Sequence, residues 1–139
     1  MNRLLYLFLL CLTLAGCAKA PMNGALDGQW QLLRYETTDG EVRDCRRLYY
    51  SIQLQVVELA DKGGEGYGTY IGRFAYDEGR AEVVIRELRP RGDEGRLATT
   101  DELQPFGLFA TDNVLHVVAV DDDHLTLRSD VATLYFRKF

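Results

Sequence analysis

Arg47-Leu48-Tyr49-Tyr50-Ser51-Ile52-Gln53-Leu54-Gln55-Val56-Val57-Glu58-Leu59 reads as a β-strand. Leu48, Tyr50, Ile52, Leu54 and Val56 alternate with Tyr49, Ser51, Gln53 and Gln55. A period of two turns one apolar face toward a core and one polar face toward water. The stretches on either side repeat the pattern. Gly28 to Glu36 is a first strand, closed by a loop at Asp39-Gly40. After the glycine-rich turn from Asp61 to Gly66, Tyr67 to Tyr76 forms the next strand, with Tyr70, Phe74 and Tyr76 on one side. Gly68 and Gly72 share that side, where a wall can bend or a ligand can come close.

Asp77-Glu78-Gly79 turns the chain into Arg80 to Leu88, centred on Val83, Val84 and Ile85. Arg89 to Gln104 breaks the pattern, and its charged start, Arg89 to Gly95, reads as an exposed loop. Thr99 to Leu103 has room for a short helix. A short strand is expected at Phe106 to Ala110. Val114 to Val120, His124 to Arg128 and Val131 to Phe139 then follow one another across short turns as a meander. Seven or eight antiparallel strands with hairpin turns make an all-β domain, either an up-and-down barrel of about eight strands or a sandwich.

Ahead of the strands, a basic Arg3 precedes an apolar run ending in the small residues of Leu14-Ala15-Gly16, which is the form of a secretory signal. Leu4 to Ala15 is too short for a membrane span, which takes roughly 20 apolar residues. Leu14-Ala15-Gly16-Cys17 resembles the lipobox of bacterial lipoproteins. The resemblance implies a signal peptide over 1–16, cleavage before Cys17, a diacylglyceryl thioether on that cysteine and an acylated amine, palmitate being the expected acyl group. Residues 17–27 would be the lipidated tether, with Pro21, Asn23 and Gly24 disfavouring regular structure. Ala18 lacks the aspartate of an inner-membrane retention signal, and no acidic run follows Cys17. The resemblance thus implies an outer-membrane protein facing the periplasm, with the lipid on Cys17 as its membrane partner.

The 139 residues carry a formal net charge of −5, and loss of 1–16 removes only Arg3. So acidic a domain does not favour nucleic acid or anionic lipid headgroups as partners. Of Cys11, Cys17 and Cys45, only Cys45 would remain as a thiol, so the domain rests on its core without an intrachain disulfide.

Leu26-Asp27-Gly28-Gln29-Trp30 resembles the first-strand motif of the lipocalins, in the calycin superfamily, and bacterial lipocalin-like lipoprotein domains in particular. Leu125-Thr126-Leu127 with Leu134-Tyr135-Phe136-Arg137-Lys138 resembles the closing strand pair. Thr111-Asp112 loosely echoes the second motif. The resemblance covers 28–139. It implies a barrel plugged at one end by Trp30, with Arg137 or Lys138 packed across the indole, and a function in binding rather than catalysis.

The inward aromatics Trp30, Tyr50, Tyr70 and Phe74 are the candidate ligand-binding residues for a small hydrophobic or amphipathic ligand. A small barrel is either filled by its side chains or hollow enough for one such molecule. In a filled barrel the protein would act through an envelope protein partner, as an accessory subunit or inhibitor. No metal or cofactor is expected. Asp121-Asp122-Asp123 lacks the glycine and distal glutamate of a calcium loop and suits a hairpin turn. His116 and His124 have no ligand at zinc spacing. His116 shares a strand face with Val114, Val118 and Val120, inward or outward. Cys45 sits among Arg43, Arg46 and Arg47, which would lower its pKa, but no base or orienting group lies nearby in sequence. Arg91-Gly92-Asp93 is a tripeptide read by adhesion receptors, and equally an ordinary charged loop.

Overall fold

The computed structural model describes residues 2–4 and 22–139. Of the signal peptide expected over 1–16 only residues 2–4 are described, and Cys17 with the expected tether up to Pro21 lies outside the described residues. Eight antiparallel strands form a closed barrel in chain order: β1 (Gly28–Thr37), β2 (Val42–Gln53), β3 (Val56–Asp61), β4 (Thr69–Asp77), β5 (Glu82–Pro90), β6 (Asn113–Val120), β7 (His124–Arg128) and β8 (Ala132–Lys138). β1 pairs with β8 to close the wall. A sandwich is thereby ruled out, although β5 meets β6 only over residues 82–85 and the β5–β6 connection covers the rest of that edge, with the Ala98 N–H donating to the Leu88 carbonyl at 2.8 Å.

Two sequence expectations are corrected, and they cancel in the strand count. Arg47 to Leu59 is not one strand. The chain reverses at Leu54-Gln55, and Gln53 pairs with Val56 across the turn. Leu48, Tyr50 and Ile52 point inward on β2, and Val57 and Leu59 point inward on β3. Leu54 and Val56 are 56% and 48% exposed. Leu54 takes φ +55°, a conformation leucine rarely adopts, so the turn carries none of the usual glycine or asparagine signals. Tertiary contacts hold it instead. The Asn23 amide donates to the Leu54 carbonyl at 2.8 Å, and the Phe74 N–H donates to the Gln55 carbonyl at 2.9 Å. Conversely, Phe106 to Ala110 is not a strand. It belongs to the long β5–β6 connection, which contains a one-turn helix α1 (Thr100–Leu103) and a 3-10 turn over Gln104–Phe106.

Irregular pairing bends the wall. Between Leu32 and Arg34 the register of β1 shifts, and Tyr35 rather than Arg34 becomes the next inward residue after Leu32. A second shift lies between Ile71 and Arg73. Gly72 stands there because a Cβ would come within 2.7 Å of Leu88 and 2.8 Å of the Arg86 carbonyl. The close approach foreseen at Gly72 is therefore made by β5, through a residue of the core. In β6 a third shift follows Val117. Such extra residues are how a small barrel turns its corners. On β6, Leu115 and Val117 face the core, whereas Val114, His116 and Val118 face out. His116 is therefore not a polar point inside the barrel.

The floor of the barrel is the end where β1 begins. Residues 23–27, expected as the end of a tether, are fixed against it. Gly24–Leu26 form a 3-10 turn, and Asn23 and Leu26 are buried. The Trp30 indole donates its N–H to the Leu26 carbonyl at 2.9 Å. Lys138 Nζ lies 4.4 Å above the indole ring and donates to the Asp27 carbonyl at 2.5 Å. Lys138, not Arg137, thus packs across the tryptophan. Arg137 reaches outward to Gln31 at 2.8 Å. Gly28 makes the Lys138 position accessible: a Cβ there would stand 2.6 Å from Nζ, and the backbone has φ +122°.

Candidate functional site: the barrel mouth

The opposite end is the mouth, where β1 turns into β2 and where the β5–β6 connection crosses. Trp30, Tyr50, Leu59 and Tyr70 are successive partners in one row of pairing across β1 to β4, and all face inward. Phe74 is the second inward position beyond Tyr70 on β4, past Gly72. Three of the four candidate ligand-binding residues therefore share one row, and the fourth is 2% exposed in the same core. The β5–β6 connection covers Tyr50 and Tyr70 at the mouth, and Leu26 and Lys138 cover Trp30 at the floor.

That connection acts as a plug. Leu103, Phe106 and Leu108 are buried in the barrel core, with Ala98 beside them. The Phe106 ring meets Tyr70 edge to face at a centroid distance of 5.9 Å. The Tyr50 hydroxyl donates to the Phe106 carbonyl at 2.5 Å. A buried phenol needs such a partner. Burial, then the nearby Cys45 and Tyr35, pushes the Tyr50 hydroxyl well above its ordinary pKa, so it stays a neutral donor. Gly107 then takes φ +79° and lies so close to Leu134 and Tyr35 that a Cβ would stand 3.0 Å from Leu134. Among the described residues no buried side-chain nitrogen or oxygen lacks a hydrogen-bond partner.

A charged latch pins the plug. Thr99 and Glu102 form a capping box at the start of α1. Arg96 grips both Glu102 oxygens at 2.7 and 3.0 Å. The Tyr70 hydroxyl donates to Glu102 at 3.3 Å, joining latch to wall. Glu102 is held at about 2, below an ordinary 4.5, first by the Arg96 guanidinium and next by the Thr99 N–H. A carboxylate with a lower pKa when folded contributes fully above its unfolded value and loses that contribution as pH falls through the folded one. Protection of the Leu103 amide against hydrogen exchange is therefore expected to decline from about pH 4.5 toward about pH 2 in the wild type. In Glu102→Gln it should be lower throughout and should not show that step. An identical decline in both proteins would rule the latch out.

Two small openings remain near the mouth. One, of about 160 Å³, runs between Arg43, Cys45, Leu48, Tyr67 and Pro105. The other, of about 110 Å³, lies between β5 and the plug, against Leu88, Leu97 and Leu103. Cys45 packs against the core, whereas His116 is exposed on β6, so the two do not meet. Burial pushes the Cys45 thiol up to about 11 from 9.0, against Arg43, which pulls it down. Desolvation thus outweighs the arginines that suggested a reactive thiol. Alkylation by iodoacetamide at pH 8 is expected to run about a hundredfold slower in the folded protein than in urea. Equal rates would show that the thiol is not buried.

Other candidates settle into local roles. The Asp121 carboxylate accepts from the Asp123 and His124 N–H groups at 2.8 and 2.7 Å, which is hairpin-turn chemistry. Among the described residues no group of three or more His, Cys, Asp or Glu converges as a metal site. Asp93 of the Arg91-Gly92-Asp93 tripeptide pairs with Arg96 at 2.8 Å. What sequence reasoning missed is the plug. The Thr99-to-Glu102 capping spacing was the available signal for its first turn, but nothing in Phe106-Gly107-Leu108 distinguishes an inserted turn from a short strand.

Among curated proteins, none matches this chain. Two solved structures share its fold. A lipocalin-like protein from Bacteroides uniformis is 24% identical, with a TM-score of 0.65 over 84% of this chain and 100% of that one. An uncharacterised protein from Bacteroides eggerthii is 23% identical, with a TM-score of 0.62 over 81% and 98%. The model of the lipocalin-like domain family matches residues 10–139. With that match over nearly the whole length, and with the Gly28-Gln29-Trp30 floor and eight-stranded barrel behind it, the chain belongs to the lipocalin-like domain family.

Proposed function

We propose that the chain is an envelope lipoprotein, anchored through lipid on Cys17 at the outer membrane and facing the periplasm, whose barrel binds a small hydrophobic or amphipathic ligand. The observation that carries this reading is the occupant of the mouth. Tyr50 and Tyr70 hold Phe106 as a cavity would hold a ligand, one by a hydrogen bond and one by a ring face. A ligand would enter where the plug sits and meet the same two tyrosines, with Phe74 deeper and Trp30 as the floor. Burial of an apolar tail would drive binding, and the phenol hydroxyls would take a polar head. The role we infer is binding rather than catalysis, in keeping with the lipocalin-like family.

One observation favours a second reading. With the plug seated, all four aromatics are at most 5% exposed. A barrel that stays so would act through an envelope protein, as an accessory subunit or inhibitor. Native mass spectrometry of a fragment starting at Pro21, before and after organic extraction, separates the two. An extra mass that leaves on extraction supports the ligand. A bare mass from gently purified protein, together with no gain in stability on adding fatty acids or lysophospholipids, supports the filled barrel.

A further inference from the structure

Arg73 on β4 and Arg86 on β5 are direct partners across the sheet, and both are exposed on its outer side. Like charges placed opposite each other are unfavourable. Glu87 pairs with Arg73 at 2.6 Å, but among the described residues Arg86 has no ion-pair partner. The two arginines flank a cavity of about 250 Å³ whose other walls include Met22, Asn23, Gln55 and Tyr76. A wider groove beside it shares Gln55 and Arg73 and adds Val56 and Ile71. Met22, Leu54, Val56 and Ile71 are 60%, 56%, 48% and 38% exposed on this flank.

The tether leaves from the rim of the same cavity. Asn23 is fastened to the Leu54 turn, so Met22 emerges beside the arginines. Met22 is the fifth residue after Cys17, a reach of about 17 Å when extended. The arginine pair is a local basic spot on an acidic domain, since the same outer face also carries Glu58, Glu82 and Glu87. The roll of the domain would be set by where residue 22 leaves the barrel and by the exposed aliphatic side chains beside it.

We propose that the outer face of β3–β5 is the membrane-apposed side of the barrel, with Arg73 and Arg86 taking the phosphates of anionic phospholipid headgroups and Met22, Leu54, Val56 and Ile71 seated in the interfacial layer. Arginine binds phosphate in a planar fork, and exposed aliphatic side chains at headgroup depth add apolar burial. The inference rests on the reading of Cys17 as the anchor, which alone brings the flank within reach of a bilayer.

Flotation of the fragment starting at Pro21 with lipid vesicles tests it. The fragment holds the whole hydrogen-bonded barrel, and the Bacteroides uniformis structure aligns over its entire length with 84% of this chain. It should float with vesicles of phosphatidylcholine mixed with phosphatidylglycerol and not with phosphatidylcholine alone. The double variant Arg73→Gln/Arg86→Gln should bind about thirtyfold more weakly, about fivefold per arginine. Arg91→Gln/Arg128→Gln, with the same change in net charge elsewhere, should bind as the wild type does. Absence of flotation with the anionic mixture, equal losses in the two double variants, or release by inorganic phosphate in place of retention on the lipid would each overturn the proposal. The mass of the mature N-terminal peptide tests the anchor separately. Specific flotation without lipid on Cys17 would remove the anchor and keep the surface, and lipid on Cys17 without flotation would do the reverse.

Discussion

Trp30→Ala is expected to remove about 4 kcal/mol of folding stability and to lower the melting temperature by about 15 °C. The indole is fully buried at the floor, where it fills the space between β1, β2 and β8. Truncation leaves a cavity that the closed wall cannot collapse into, and cavity and transfer costs add. It also strips the Leu26 carbonyl of its donor and Lys138 of the ring beneath it. Two milder variants divide the effect. Trp30→Phe keeps most of the apolar burial and loses the N–H. Lys138→Met keeps the aliphatic stem and loses the cation over the ring and the bond to the Asp27 carbonyl. Each should cost about 1 kcal/mol, the usual size of one hydrogen bond or cation–π contact. Urea denaturation checks the series. A loss below about 1 kcal/mol for Trp30→Ala would mean that the floor is closed by something other than the indole.

The floor was also the part most legible in the sequence. Gly28-Gln29-Trp30 and Arg137-Lys138 are short motifs, and their resemblance to the first and last lipocalin strands implied the contact between them. What the resemblance left open was Arg137 against Lys138. β8 alternates, so only one of two neighbours can point inward, and the pairing of Trp30 with Lys138 decides it. The meander from β6 to β8 was legible for the same reason: its turns carry aspartate and serine, the residues that make turns by themselves.

The misread stretches share a different physics. Leu54-Gln55 carries no turn chemistry, and the hairpin exists because Asn23 and β4 hold its carbonyls. Continued alternation through the turn was indistinguishable from one long strand, because the apolar residues of β2 and β3 happen to keep step across it. Inside and outside then exchange after Ile52, as a slip of one residue in a strand must do. The plug was hidden for a related reason. Leu103, Phe106 and Leu108 are apolar because the mouth is apolar, and that demand is set by residues far away in sequence. Tyr50 and Tyr70 were identified as inward, and with the plug seated Phe106 supplies the partner of both.

Phe106→Ala should separate the plug from the wall. The variant is expected to lose about 3 kcal/mol of stability, the low end for a buried phenylalanine because the mouth opens to water at the plug and can partly relax. The carbonyl that Tyr50 grips is a backbone group and survives the substitution, and so does the Arg96–Glu102 latch. The plug should therefore stay tethered while the space against Tyr70 empties. An apolar void between two tyrosine walls is what a small amphipathic ligand would need, so anilinonaphthalene sulfonate should fluoresce with the folded variant and not with the wild type. The probe must be lost again when Tyr70→Ala is added, because that removes the wall it packs on. Binding that persists without Tyr70 would place the probe elsewhere and take the mouth out of consideration as a ligand site. A folded variant that stays dark, with the expected loss of stability, would mean that the barrel closes over the vacated space. The mouth would then be a core that happens to lie at one end, and the search for function would move to the outer wall.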